Sequence, residues 1–223
     1  MNLSKSYEFL NPDEIDERIN VIGCGSVGST VVELLARFGL KRFGLWDFDS
    51  VEPKNIVNQM FTSDYIGQPK VDSLLSMISD INPDILTETD LHREGWNGQN
   101  LSGYVFLCVD SIELRRMIVE KNRYNPNIKA MFDFRTRLTD AQHYAADWSD
   151  EKQISNFFAS MQFSHVEAAH ETPVSACGTV LGVAPTVRMI ATVGVTNFVN
   201  FVREGKLKQT ILADPFAFQL DAF

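Results

Sequence analysis

The sequence predicts an α/β fold: a doubly wound, mostly parallel sheet with helices on both faces, continued by a smaller C-terminal part. Three observations predict it. Up to residue 148, short apolar strands alternate with segments whose apolar residues recur at helical spacing. Gly23-x-Gly25-x-x-Gly28 falls between the first such strand and the first such helix, where a Rossmann-like unit carries its glycine turn. Residues 104–109, Tyr-Val-Phe-Leu-Cys-Val, form an unbroken apolar run, as a strand covered on both faces requires.

The elements follow in order. Residues 1–18 are polar with Tyr7, Phe9 and Leu10 embedded, and Asn11-Pro12-Asp13-Glu14 opens a short helix. A strand starts at 20–22, a helix covers 29–38, and Gly39 stops it. A second strand at 43–47 completes the βαβ unit. Val71, Leu74, Leu75 and Ile78 set a helix over 71–81 that ends at Asn82-Pro83. Residues 85–91 alternate as a strand, 111–122 form a helix, and 130–134 and 143–148 are further strands. Beyond Asp150 the character changes. A helix at 151–161 leads into a loop at 162–172, which carries His165 and His170 across an open face. Residues 182–203 are rich in small and apolar types, which predicts a buried helix that also offers a homodimer surface. A last strand at 209–213 precedes an aromatic tail at 214–223. The expected organisation is one nucleotide-binding domain over 1–223, with the core at 18–150 and the crossover loop, long helix and tail at 151–223.

Composition narrows the functions. At 44% hydrophobic and 22% charged, the 223 residues are those of an ordinary globule. A formal charge of −9 argues against a nucleic-acid or anionic-membrane surface, while leaving room for a local basic pocket. Cys24, Cys108 and Cys177 are too few and too scattered for a disulfide framework or a four-thiolate zinc site, so a reducing cytoplasm is expected. His165 and His170 lack a third ligand nearby in sequence. The first residues contain no signal-type apolar core, and no run reaches the roughly 18 apolar residues of a membrane span.

The residue types around the glycine turn suit a nucleotide. Gly23 permits a tight turn, Gly25 lets backbone approach a phosphate, and Gly28 lets helix pack on strand. The helix that follows offers unpaired N–H groups and the positive end of its dipole to an anion. Asp47 ends the second strand, where a carboxylate can take both hydroxyls of a ribose. Asp49 lies two positions on and shares its side of the chain. Either could be the ribose ligand; Asp47 is preferred, with Asp49 holding the loop. To this point an NAD-dependent oxidoreductase fits as well.

The continuation differs from such an enzyme. Asp47-Phe-Asp49-Ser-Val-Glu52-x-x-Asn55-x-x-Asn58-Gln59, then Gly67-Gln-Pro-Lys70, then Asp110 after the apolar strand with Arg115 behind it, resembles the ThiF/MoeB/HesA family of adenylyltransferases, bacterial relatives of ubiquitin-activating enzymes. The resemblance covers about residues 18–125 and returns loosely over 182–205. It implies that ATP binds with its ribose on Asp47 and its phosphates near Gly25, Asn55 and Lys70, with Asn58, Gln59 and Arg115 in the same nucleotide-binding set. It further implies Mg²⁺ on Asp110, with Asp110 and Lys70 in the catalytic role. The implied reaction joins a carboxylate, such as the C-terminus of a small ubiquitin-like or sulfur-carrier protein, to AMP. A homodimer is implied too.

Three departures accompany the resemblance. Asn58 stands where the family pattern has arginine, no N-terminal arginine matches (Arg18 is too close to the first strand), and the paired CxxC motifs of a structural zinc are missing. The chain is in this respect similar to compact ThiF-like proteins of phages and mobile elements. A degenerate nucleotide binder or scaffold is the alternative reading. Arg135 and Arg137, in Phe-Asp-Phe-Arg-Thr-Arg, could restore the lost charge or be a surface pair on a turn. Asp110 could instead cap the helix after it, Arg115 could be a surface residue, and Lys70 could be a solvated lysine at a helix start. Cys177, before the long helix, matches the mobile crossover in which thioester-forming relatives keep a cysteine; the alternative is a buried, inert thiol.

Overall fold

A computed structural model of the chain describes residues 1–163, 174–175 and 181–223. Its sheet has eight strands: β1 (Ile19–Ile22), β2 (Phe43–Trp46), β3 (Asp90–His92), β4 (Gly103–Leu107), β5 (Ile128–Thr136), β6 (Ala141–Asp147), β7 (Thr210–Asp214) and β8 (Gln219–Ala222). Their order is β3-β2-β1-β4-β5-β6-β7-β8. The five strands from β3 to β5 run parallel, and β6, β7 and β8 add on antiparallel. The chain moves outward from β1 through β2 to β3, then returns to lay β4 on the other side of β1. The order therefore reverses between β1 and β4. In such sheets the crevice beyond the strand ends at that reversal is where ligands sit.

The strands beside the reversal are buried along their whole length, which explains why they read as continuous apolar runs. Alternate residues feed two cores. Val21, Leu45, Phe106 and Phe132 face one core, with α1 (Ser26–Arg37) and α2 (Lys70–Ser79) packed on it. Ile22, Trp46, Val105, Leu107 and Met131 face the other, against α4 (Ile112–Asn122) and α5 (Glu151–Ala159). A long helix, α6 (Ala184–Glu204), lies across α1 and buries Val187, Ile190, Ala191, Val195 and Phe198 in the first core. Gly205 caps it in the left-handed conformation. The apolar residues that made this segment a candidate homodimer surface are thus used inside the chain. Its exposed positions include Pro185, Thr192 and Thr196.

Two expectations change. Residues 85–91 are not one strand: Ile85–Glu88 is a helical turn, α3, and only Asp90–His92 pairs with the sheet. Asn82 explains the difference, because its side chain accepts from Asp84 N–H and its carbonyl from Ile85 N–H, continuing the turn past Pro83. The aromatic tail is not irregular either. Asp214 Oδ1 accepts from the N–H groups of Phe216 and Ala217, and that turn sends β8 back along β7. Among the described residues no helix is long and apolar enough to cross a membrane.

Candidate functional site

A cleft of about 240 Å³ opens beyond the ends of β1, β2 and β4, at the reversal of strand order. The glycine turn forms its floor. Gly23 has φ +93°, and a Cβ there would lie 2.7 Å from the carbonyl of Cys108. A Cβ on Gly28 would sit 1.9 Å from the Gly23 oxygen, so helix and strand approach as closely as they do because neither residue has a side chain. Gly25 is different. A Cβ there would meet only the Gln59 amide, at 3.9 Å, so this glycine faces the open cleft. It is also the N-cap of α1 and supplies no side-chain cap, which leaves the first-turn N–H groups for a ligand.

Asp47 follows β2 immediately and is fixed by backbone. Its Oδ2 accepts from Cys24 N–H at 2.7 Å, inside the glycine turn, and its Oδ1 from Asp49 N–H at 2.8 Å. Each oxygen keeps acceptor capacity for a hydroxyl. Burial pushes the Asp47 carboxyl above its usual range, against the pull of Lys70 and of the two N–H groups. Lys70 opens α2 with its side chain 8% exposed and its ammonium 2.7 Å from Asp49 Oδ2. Lys70 N–H also donates to the Asp49 carbonyl, and Val51 N–H to that of Gln68, so the loop closes where lysine and carboxylate meet. Lys70 is therefore no solvated lysine, and Asp49 holds the loop.

Asp110 lines the opposite wall, exposed. It is not the cap of α4; Ser111 is, accepting from Leu114 N–H. Among the described residues no hydrogen bond or ion pair engages the Asp110 carboxylate. Phe48, Trp96 and Leu114 give the cleft an apolar flank, with Phe48 74% exposed at its rim. Behind it the Trp46 indole stacks on His92 at 3.4 Å between ring centres. Cys24 is buried and Cys108 half-buried at the cleft, and desolvation raises both thiols, which suits packing rather than reactivity.

The remaining expected residues are dispersed. Gln59 lines the cleft. Asn55 turns its Oδ1 to Glu52 N–H and closes the 3₁₀ turn Pro53–Val57. Asn58 lies against Gly182, with its Nδ2 3.4 Å from that carbonyl. Arg115 does not reach the cleft, and it is no surface residue. Its buried guanidinium pairs with Asp133 and donates to the carbonyls of Val109 and Phe134, bracing the strand end that carries Asp110. Arg135 shares Asp133 from the other side, 2.7 Å from its Oδ2, and donates to Ser160, so it restores no charge to the cleft and is no surface residue either. Arg137 sits at the turn beside Asp140. Cys177, His165 and His170 lie outside the described residues. Among the described residues no cluster of three or more His, Cys, Asp or Glu is arranged to hold a metal ion by itself. Mg²⁺ asks for less, since it is commonly held by one or two carboxylates plus substrate phosphates and water, and the unengaged Asp110 fits that pattern.

Comparison with known proteins gives a consistent picture. The model of the ThiF family matches residues 15–219. The chain is 37% identical over 134 residues to ubiquitin-like modifier-activating enzyme 5 of Drosophila mojavensis, which covers 53% of this chain and 33% of that protein. It thus spans about a third of the length of the curated relatives it matches. Among solved structures PaaA superposes with a TM-score of 0.73 at 14% identity, over 96% of this chain and 66% of that one. Escherichia coli MccB does so with 0.71 at 15% identity, over 95% and 63%. At such identities the likeness is one of fold.

Proposed function

This chain belongs to the ThiF family, and from that premise we propose that it is an ATP-dependent adenylyltransferase that activates a carboxylate. The observation that carries the reading is the convergence of Gly25, Asp47, Lys70 and Asp110 on one cleft at the strand reversal. MccB, the neighbour in fold, has been crystallised with ATP, and with AMPCPP and MccA. The curated relatives are named as activating enzymes of a ubiquitin-like modifier, which favours the C-terminal carboxylate of a small ubiquitin-like protein as the substrate here.

In this reading Asp47 holds the ribose hydroxyls, and the Gly25 turn with the N-terminus of α1 seats the phosphates. Phe48, Trp96 and Leu114 shelter the base. Gln59 supplies a neutral contact to the phosphates, while Asn55 shapes the turn that precedes it. A substrate carboxylate oxygen bonds to the α-phosphorus, and the bond from that phosphorus to the bridging oxygen breaks. Pyrophosphate departs with the electron pair and leaves an acyl-adenylate. Charge builds on the departing group, and Lys70 lies where an ammonium offsets it once ATP loosens its hold on Asp49. Mg²⁺ held by Asp110 would neutralise phosphate charge in the same place. No covalent nucleophile of the protein is needed, so catalysis rests on position and electrostatics. We also expect a cytoplasmic homodimer; a monomer in light scattering would remove the second part.

Exchange of labelled pyrophosphate into ATP in the presence of candidate carboxylates tests the reaction. The expected result is exchange that Asp110→Ala abolishes without changing the melting temperature. Unchanged exchange in that variant would remove Asp110 from the mechanism. A second reading, a degenerate nucleotide binder, is favoured by Asn58, which is turned to Gly182 and brings no cation. Stabilisation by ATP–Mg²⁺ without exchange on any carboxylate would select it. Stabilisation by NAD alone would instead return the oxidoreductase.

A further inference from the structure

The cleft carries less positive charge than a nucleoside triphosphate requires. Asp47, Asp49 and Asp110 line it against one cation, Lys70, and Asp49 already holds that cation. Polyphosphate sites are normally made with cations in excess of acids. Among the described residues several half-buried and buried arginines are matched by acids: Arg115 and Arg135 by Asp133, Arg18 by Asp90.

Arg116, Arg123 and Arg188 are half-buried without such a match among the described residues, and of the three Arg188 is the one whose hydrogen-bond partner, Thr30, lies on α1 behind the phosphate turn. It projects from the first turns of α6, is half-buried, and donates to the Thr30 hydroxyl at 2.5 Å while touching the Met60 sulfur. Among the described residues no carboxylate lies within salt-bridge distance of it. A hydroxyl and a thioether, its partners among the described residues, bring no negative charge to a guanidinium that has given up part of its hydration, and an anion would complete it. The position of Arg188 points to which anion. Thr30 Oγ1 donates to the Ser26 carbonyl at 3.0 Å, so the guanidinium stands two hydrogen bonds from the first turn of α1. Met60 N–H donates to Ser29 Oγ on the same helix, and Gln59 beside it lines the cleft. Both partners of Arg188 therefore adjoin residues that line the cleft, Thr30 by its bond to Ser26 and Met60 by its place after Gln59, without lining it themselves.

Resting on the nucleotide reading of the cleft, we infer that Arg188 is a phosphate-binding residue. Its guanidinium leaves Thr30 and Met60 for the β- and γ-phosphate oxygens of a triphosphate seated at Gly25. It supplies from α6 the cation that Asn58 does not bring, and it stays with the pyrophosphate as that group departs. The assignment separates triphosphate from monophosphate: AMP reaches Asp47 and Gly25 but not Arg188.

Thermal melts of the full chain with ATP–Mg²⁺ and with AMP, each titrated for the wild type, Arg188→Met and Arg188→Lys, test this. The expected result is roughly a 10- to 100-fold loss of ATP affinity in Arg188→Met, the loss of one charge-assisted contact, with AMP affinity unchanged. Arg188→Lys should fall between, because lysine keeps the charge but not the fork. It also carries the test if Arg188→Met does not fold. Equal losses for ATP and AMP, or no loss of either, would overturn the inference and leave Arg188 a clamp between α6 and α1. A wild type that neither nucleotide stabilises overturns the nucleotide reading itself, and is recognisable because it precedes any variant.

Discussion

Replacing Asp133 by Asn should cost roughly 3–5 kcal/mol of unfolding free energy, the usual consequence of removing one partner from a buried ion pair. Asp133 is fully buried in β5. Its Oδ1 meets Arg115 and its Oδ2 Arg135, whose side chains are 7% and 15% exposed. The amide keeps the volume but removes the charge, so two guanidiniums lose their shared counter-ion where water cannot replace it. For a chain of this length each kcal/mol moves the midpoint by about 2–4 °C, so Tm should fall by roughly 10 °C. Urea titration followed by tryptophan fluorescence would measure it, with the m-value unchanged if both states keep their exposed surface. Asp72→Asn is the internal control. Asp72 receives Arg93 through two hydrogen bonds, but the pair is 33% and 57% exposed, and a screened surface pair should change little. If Asp133→Asn loses no more than Asp72→Asn, burial is not what makes this network count.

Two further substitutions probe the turn and the sheet. Gly28→Ala would force a Cβ to within 1.9 Å of the Gly23 carbonyl oxygen, a backbone atom that cannot yield. The turn must open, so ATP–Mg²⁺ should no longer raise the melting temperature, and a retained shift would show that the turn is slack. His143, wholly buried, should give the protein an acid-sensitive step. Its Nδ1–H donates to the Asp133 carbonyl and its Nε2 accepts from Asn197, so a second proton has no place, and burial lowers the group to about 4. The unfolded chain binds that proton from about pH 6.5 downward while the folded chain does not. Stability is therefore complete above pH 6.5 and falls by roughly 3 kcal/mol between there and pH 4. His143→Gln should flatten that part of the stability–pH curve, and an unchanged slope would assign it to other groups.

The parts of the fold and cleft that could be read from sequence are those whose physics is local. A strand, three glycines at fixed spacing and a helix specify the phosphate turn, because Gly23 and Gly28 answer contacts made within a few residues or by the neighbouring strand, and Gly25 keeps the cleft open. Asp47 is legible for the same reason, since it ends a strand of a βαβ unit. What the sequence does not display is pairing across distance. The Asp133 network was hidden inside Phe-Asp-Phe-Arg-Thr-Arg, although alternation along a strand puts Asp133 and Arg135 on one side. The missing fact was that β5 runs on to Thr136 under the cover of β6. Arg188 offered no local signal at all, because Thr30 lies 158 positions earlier. The turn at 85–88 has no apolar period of its own, because Asn82 acts on backbone groups across a proline.

The packing of α6 across α1 bears on how the molecule is made. α1 emerges early during synthesis with apolar residues for the first core, Val27, Val31 and Leu35 among them, before the helix that packs across it exists. That partner is complete only once Glu204 has been added, long after α1 itself is made. Until then the segment with the glycine turn, Asp47 and Lys70 has an uncovered apolar flank, the condition under which nascent chains stick to one another or recruit chaperones. Contacts so distant in sequence also slow folding, because a long loop must close before they form. A gene cut after Asp150 would encode most of the cleft but not its cover, and its product should be insoluble.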